Sequence, residues 1–330
     1  LAELIGPPVV TPASSCMNFP NTHNLWGGIT PNRYLSDADV VLIVDCDVPY
    51  IPADVTPQDD AQIFWIDMDP LKSNIPLFTF PADLRIQANS ADALPVLVSS
   101  VRDALSADDI QAHEERTGIL AQLHGQRRAE MEDVALEKCT LRPIAPEWLT
   151  YCIDQALDPE TIVLDETVTN LRFSATILER KVPGTWFTSG GASLGWALGA
   201  AVGVKLAAPD RQVVALVGDG TFLFGCPSAA LWTAAAHDTP FLTIIYNNQM
   251  HFATKRSWLM HYPHGHARHL DQFVGTDLQP SPDFAQLAKS CHAFGRTVTD
   301  PAELPDALER ALQAVAEGQA AVLDVRIERP

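Results

Sequence analysis

Between Gln212 and Asn248 the chain reads QVVALVGDG, a helix-length stretch, and then PFLTIIYNN. The first apolar run ends in a carboxylate between two glycines, the second in paired carboxamides. Apolar runs of this length bounded by turn residues are strands buried on both faces. Strands alternating with helices build a parallel sheet covered by helices on both sides. Asp219 and the pair Asn247 and Asn248 then fall at the carboxyl ends of neighbouring strands, where ligands of a parallel α/β sheet collect.

The same alternation runs along much of the chain. Strand TIVLDE (161 to 166) precedes a glycine-rich turn into a helix, SGGASLGWALGAAVGVKLA (189 to 207). A helix at about 225 to 237 joins the two runs already quoted. After a long loop come helices at 281 to 295 and 300 to 318 and a final strand, AAVLDVRIE (320 to 328). Nearer the start, DVVLIVDCDV (39 to 48) and QIFWIDMDP (62 to 70) are apolar runs suited to a buried parallel sheet. The segment from Ala107 to Lys138 is charged, with apolar residues at helical spacing, and Pro146 in RPIAPEWL marks a new helix start. The expected fold class is α/β: two Rossmann-like layered domains, residues 1–105 and 141–330, with a helical linker at 106–140. LAELIGPPVV opens on the end of a helix stopped by Gly6. A domain rarely begins in mid-helix, so an N-terminal portion is expected to precede Leu1.

Composition excludes several classes of function. With 41 acidic against 22 basic residues the net charge is −19 and the basic residues are scattered, which disfavours nucleic acid and anionic lipid as partners. The longest apolar stretch, Leu194 to Ala208, is short and interrupted by glycine, so no membrane span is expected. Six cysteines lie far apart without a Cys-x-x-Cys pair and read as buried thiols of a reducing, cytoplasmic compartment. No Gly-x-Gly-x-x-Gly follows a strand, which counts against a nicotinamide oxidoreductase.

A lone Gly-Asp-Gly is more often a loop turn than a site. Here 26 residues and a strand–helix–strand pattern separate it from Asn247 and Asn248, which is far more specific. A carboxylate with neutral amide and backbone oxygens is the environment Mg²⁺ prefers, and Gly218 and Gly220 leave room for a diphosphate beside the backbone. The arrangement resembles the diphosphate-binding motif of the thiamine diphosphate (ThDP)-dependent enzymes. TSGGASLGWALGAAVGVKLAAPDRQVVALVGDG is similar to the same region of benzoylformate decarboxylase and acetolactate synthase relatives.

The resemblance implies thiamine diphosphate and Mg²⁺ as cofactors and a small 2-oxo acid as substrate, cleaved by non-oxidative decarboxylation or joined by carboligation. It implies that Asp219 and Asn248 ligate Mg²⁺ by side-chain oxygens and Met250 by its carbonyl, while Gly218, Gly220 and Thr221 meet the diphosphate, with Thr167 and Thr169 reaching it from DETVTN. Ala192 aligns with the residue whose carbonyl receives the pyrimidine amino group, and Leu194 with the apolar residue that props the cofactor in a V shape. The activating glutamate belongs to a pyrimidine-binding domain without counterpart here. It comes from the missing N-terminal part or another subunit of a homodimer or homotetramer, and Glu166 does not match it. No catalytic acid or base is therefore expected in this chain, which alone should be inactive.

The loop QMHFATKRSWLMHYPHGHARHL carries five histidines, but no acid or cysteine stands at zinc-ligand spacing. His251, Thr254 and Trp258 are candidates for the substrate pocket. Phe252 and Ala253 depart from the acetolactate synthase pattern without matching the decarboxylase pattern closely. Two other readings remain: an acetolactate synthase-type transferase, and a non-catalytic subunit that keeps the fold for assembly.

Overall fold

Period-two alternation sorts the C-terminal strands into two packed layers. The computed structural model describes residues 1–12, 14–76, 78, 80–191 and 193–329. The chain divides into two compact units, Leu1–Ser14 with Asn18–Arg127, and Ser15–Met17 with Arg128–Pro330.

In the first unit, α1 (Ala2–Ile5) ends at Gly6 in the left-handed conformation, followed by β1 (Val9–Val10), which pairs in parallel with β2 (Trp26–Gly28). A separate parallel sheet has the order β3 (Val40–Val44), β4 (Gln62–Asp67), β5 (Leu84–Gln87). Helix α2 (Ser90–Ala104) starts on the Asn89 cap, whose side chain accepts the Ala91 N–H. The apolar runs predict strands buried on both faces, but only β4 approaches this, with Trp65 wholly buried. β3 leaves Val40 and Leu42 exposed. The reason is position: β3 is an edge strand of three. Helix α3 (Ala107–Glu137) contains the boundary between the units, at Arg127 and Arg128.

The second unit begins with α3's last turns and α4 (Pro146–Ala156), which has Pro146 at its first position as the sequence predicts. Its strands are β6 (Ile162–Glu166), β7 (Trp186–Thr188), β8 (Val213–Gly218), β9 (Leu242–Asn247), β10 (Phe294–Val298) and β11 (Ala321–Arg326). They form one parallel sheet in the order β10-β11-β9-β8-β6-β7. The helices are α5 (Leu171–Ile177), α6 (Trp196–Ala207), α7 (Asp219–Phe224), α8 (Pro227–Ala236), α9 (Phe252–His261), α10 (His266–Leu270), α11 (Phe284–Ser290) and α12 (Leu304–Ala316). On β8, Val214 and Leu216 join one core with Ile153 of α4 and Leu308 of α12. Val213, Ala215 and Val217 join the other, with Leu198 of α6 and Leu231 of α8. Truncating a central residue such as Leu216 to alanine removes about 2–5 kcal/mol, the usual cost of a core cavity.

From β6 the chain moves to β7 on one side, and from β8 to β9 on the other. The carboxyl ends of β6 and β8 therefore flank a switch point, the place where such sheets bind ligands.

Several elements differ from expectation. The helix expected from 189 begins only at Trp196, because the glycines ahead of it form the turn. The helix expected to 295 stops at Ser290 and gives way to edge strand β10. The expected loop between 249 and 280 contains α9 and α10, neither of which buries a residue. Residues Ser15–Met17 lie antiparallel on β7, with Met17 N–H donating to Trp186 O at 3.0 Å and Thr188 N–H to Ser15 O at 2.9 Å. All six cysteines are free thiols, but only Cys152 is buried. Cys16 and Cys226 are exposed, so the expectation of buried thiols fails there. Among the described residues no helix is long and apolar enough to cross a membrane.

Candidate functional site

Strand β8 stops at Gly218, and Asp219 opens α7, so its carboxylate lies where the unpaired N–H groups of a helix start gather positive charge. The side chain is almost fully buried, at 3% exposure. Its Oδ1 accepts the Gly220 N–H at 2.9 Å and its Oδ2 the Met250 N–H at 3.2 Å. The same Met250 N–H also donates to Asn248 Oδ1 at 3.0 Å. One amide therefore touches both oxygens, and the Asp219 carboxylate and Asn248 carboxamide are neighbours. Burial outweighs the hydrogen bonds from the backbone and lifts the Asp219 carboxyl from the ordinary 3.8 to about 6. Among the described residues no ion pair joins it to a cation.

The two asparagines part company because successive residues of a strand face opposite ways. Asn247, the last residue of β9, donates from Nδ2 to Asp324 Oδ1 on β11 at 2.6 Å and accepts the Gln249 N–H on Oδ1 at 3.1 Å. Asp324 is fully buried and paired with Arg326 at 3.0 Å. Asn247 is thereby occupied in holding the loop. Gln249 takes a left-handed conformation, φ 58°, which turns the chain so that Met250 returns beneath Asp219. Neither the Asp324 partner nor this turn is legible in the paired asparagines. A buried aspartate within the apolar run AAVLDVRIE is the signal that a polar partner must exist.

At the tip of β6, Glu166 accepts three amide hydrogens at the start of α6: Gly195 at 2.9 Å and Trp196 at 3.1 Å on Oε1, and Ala197 at 2.8 Å on Oε2. It closes that helix terminus and fixes the glycine-rich turn. Burial raises its carboxyl above the usual range. Gly195 sits at φ 101°, and a Cβ there would lie 2.6 Å from the Phe224 carbonyl, so the turn demands glycine. Leu194 is half-buried in this turn, and Ala192 lies outside the described residues. Thr167 is buried, and its N–H and hydroxyl both go to Asp165 Oδ1, at 3.0 and 2.8 Å. Thr169 is half-buried. Between them the β-branched Val168 is held at φ 53°, a strained conformation of the kind found at functional loops. The Thr221 hydroxyl donates to Glu166 O at 3.3 Å, tying the start of α7 to the tip of β6.

His251 lies directly over the start of α7: a Cβ on Gly220 would come within 2.4 Å of its Cε1 and 2.5 Å of its Nδ1. Its ring also faces Phe224, with centroids 6.0 Å apart. Thr254 and Trp258 sit on exposed positions of α9, Trp258 beside Tyr262, so the structure places His251 at the site and these two on the helix surface beyond it. The Nδ1 atoms of His261 and His269 bond the carbonyls one helical turn earlier, at 2.8 and 3.1 Å. Among the described residues no group of three or more His, Cys, Asp or Glu is placed to hold a metal ion.

Residues 167–325 match the family model for the thiamine pyrophosphate enzyme, C-terminal TPP binding domain. That segment belongs to the thiamine pyrophosphate enzyme family. The chain is 27% identical over 325 residues to a benzoylformate decarboxylase of Pseudomonas aeruginosa, covering 95% of this chain and 55% of the relative. It is 24% identical over 329 residues to a probable acetolactate synthase large subunit of Methanococcus aeolicus, covering 94% and 52%. The chain thus spans about half the length of these relatives. Its fold is shared with a thiamine diphosphate-dependent 4-hydroxybenzoylformate decarboxylase of Rhodococcus jostii, with a TM-score of 0.73 at 21% identity, over 100% of this chain and 57% of the other.

Proposed function

We propose that this chain is the diphosphate-binding part of a ThDP- and Mg²⁺-dependent enzyme that acts on 2-oxo acids by non-oxidative decarboxylation or carboligation. The observation that carries the reading is the Asp219 carboxylate, buried beside the Asn248 carboxamide with no ion-pair partner among the described residues. A hard divalent cation fits this donor set, since it takes oxygen ligands and would pair with the buried carboxylate. Asp219 and Asn248 would offer side-chain oxygens and Met250 its carbonyl. Thr221, at the start of α7, would receive the diphosphate on its backbone N–H, because the Gly220 N–H is taken by Asp219 Oδ1. Thr169 is better placed than Thr167 to join it, because the Thr167 hydroxyl is spent on Asp165.

Bound there, the cofactor supplies a nucleophilic thiazolium carbon and an electron sink that allows carbon dioxide to leave a 2-oxo acid. The chain's own residues orient it. Glu166 secures the turn that carries Leu194, the residue that would prop the pyrimidine and thiazolium rings in their V shape. His251 shields the diphosphate end of the site. A pyrimidine-binding domain, from further sequence or another subunit of a homodimer or homotetramer, would complete the catalytic centre. A non-catalytic subunit is the weaker reading, because burying a carboxylate that has no ion-pair partner among the described residues costs stability and brings assembly nothing. The matched relatives include a decarboxylase and a probable acetolactate synthase, and similarity to both supports the shared 2-oxo acid chemistry.

Titration calorimetry with ThDP, with and without Mg²⁺, tests the reading. Metal-dependent heat that disappears in Asp219→Ala supports it. Absence of heat from the wild-type chain under both conditions, with a pyrimidine-binding domain supplied, overturns it.

A further inference from the structure

Arg329 lies past the last strand, and nothing in the sequence connects it with the loop at the end of β9. Its guanidinium nevertheless grips that loop at three points. Nε donates to Asn248 O at 3.1 Å, Nη2 donates to Gln249 O at 3.0 Å, and Nη2 also reaches Asp277 Oδ1 at 3.0 Å. We infer that Arg329 is a positioning residue that presets the geometry of the Asp219, Asn248 and Met250 oxygen set for a divalent cation. This rests on the function proposed above.

The two carbonyls flank the residue on which the chain turns. Gln249 is a non-glycine residue in the left-handed region, a conformation that persists only when its surroundings over-determine it. The surroundings here are explicit. Gln249 N–H is taken by Asn247 Oδ1, and Gln249 O accepts both the Leu278 N–H at 3.0 Å and Arg329 Nη2. Met250 pairs antiparallel with Asp277, the residue whose carboxylate completes the guanidinium's contacts. Asp219 thus holds the N–H side of the loop while Arg329 holds two successive carbonyls, that of the Asn248–Gln249 peptide and that of the next. Without the guanidinium, the Asn248–Gln249 peptide loses the anchor on its carbonyl and keeps the hydrogen bond of the Gln249 N–H to Asn247 Oδ1. A shift of that peptide would disturb the turn that brings the Met250 N–H back to Asp219 and Asn248.

Arginine suits the task for a geometric reason. A planar guanidinium projects several N–H donors at fixed angles and spans two successive carbonyls and a carboxylate, whereas an ammonium is a single point of charge. Lysine at 329 should therefore preserve charge without restoring position. Removing partners that orient metal ligands typically weakens metal binding about 10–100-fold.

The test is Mn²⁺ binding to the full chain in the presence of ThDP, followed by the paramagnetic resonance signal of free Mn²⁺, for wild type, Arg329→Gln, Arg329→Lys and Asp277→Asn. The surface variant Arg310→Gln serves as control. Both Arg329 variants should bind Mn²⁺ at least about 10-fold more weakly. Asp277→Asn, which spares both carbonyl bonds, should lose only a few-fold and keeps the test informative if an Arg329 variant fails to fold. Amide exchange at Gln249 and Met250 should quicken in the Arg329 variants while exchange in β8 stays unchanged. Wild-type affinity in Arg329→Gln, or full rescue by lysine, overturns the inference and leaves the proposed function standing. A wild-type chain that binds no Mn²⁺ with ThDP, with a pyrimidine-binding domain supplied, overturns both.

Discussion

Replacing Asp219 by asparagine should make the cofactor-free chain more stable at pH 8 and less stable at pH 4. Burial raises the folded-state carboxyl from 3.8 to about 6, a displacement equivalent to about 3 kcal/mol at roughly 1.4 kcal/mol per decade. Because the folded value lies above the unfolded one, the group's favourable contribution is complete below about pH 4 and is lost as the pH climbs through about 6. Asparagine cannot ionise and escapes that loss. It carries a penalty of its own, since its amide would face the Met250 N–H in place of Oδ2. Losing that bond costs about 1 kcal/mol, moderated because Met250 N–H keeps Asn248 Oδ1. The balance is a net gain of about 1–2 kcal/mol at pH 8 and a small net loss at pH 4. Urea unfolding of both proteins at the two pH values, with chelator and without ThDP, measures it. Asp165, Glu166 and Asp324 also have raised values, but they are common to both proteins and cancel in the difference. Saturating Mg²⁺ and ThDP should reverse the order at pH 8, because a ligand at 100 times its Kd adds about 2.7 kcal/mol to the protein that binds it. If the variant is less stable by the same amount at both pH values, Asp219 carries no burial cost, and the case for a missing cation falls with it.

Four further substitutions probe the walls of the site. Gly220→Ala should destabilise by about 1–3 kcal/mol through collision with His251, and His251→Ala should recover most of this in a double-mutant cycle read by thermal unfolding. Glu166→Gln sets an amide against three N–H donors and should cost about 1–3 kcal/mol, with faster hydrogen exchange at Gly195, Trp196 and Ala197. Unchanged exchange there would refute its part in holding the turn. Val168→Gly should raise stability by about 1 kcal/mol in urea, because the exposed valine buries little and its φ of 53° is strained.

What could be read from the sequence and what could not divide along a physical line. Strands β6, β8, β9 and β11 are enclosed by helices on both faces, so burial imposes the apolar runs that reveal them. β7 and β10 are the edges of the same sheet; Trp-Phe-Thr is half-buried throughout, and β10 tolerates Gly295 and Arg296, so neither announces a strand. α9 escapes for a related reason: it buries nothing and carries no apolar stripe. At the candidate site the same distinction holds residue by residue. Asp219 and Asn248 stand out because glycines and strand ends surround them. The partners that fix them are distant in sequence and ordinary in context: Asp324 lies 77 residues from Asn247, Glu166 lies 29 from Gly195, and Arg329 lies 81 from Asn248. Each of these partners satisfies a backbone or carboxamide group, a demand created by the fold and absent from any local pattern. A site of this kind therefore shows its ligand-facing atoms in the sequence and hides the groups that aim them. Similarity at Gly-Asp-Gly and Asn-Asn alone is for that reason a weaker guide to a working centre than the same motif with its Asp324, Glu166 and Arg329 contacts intact.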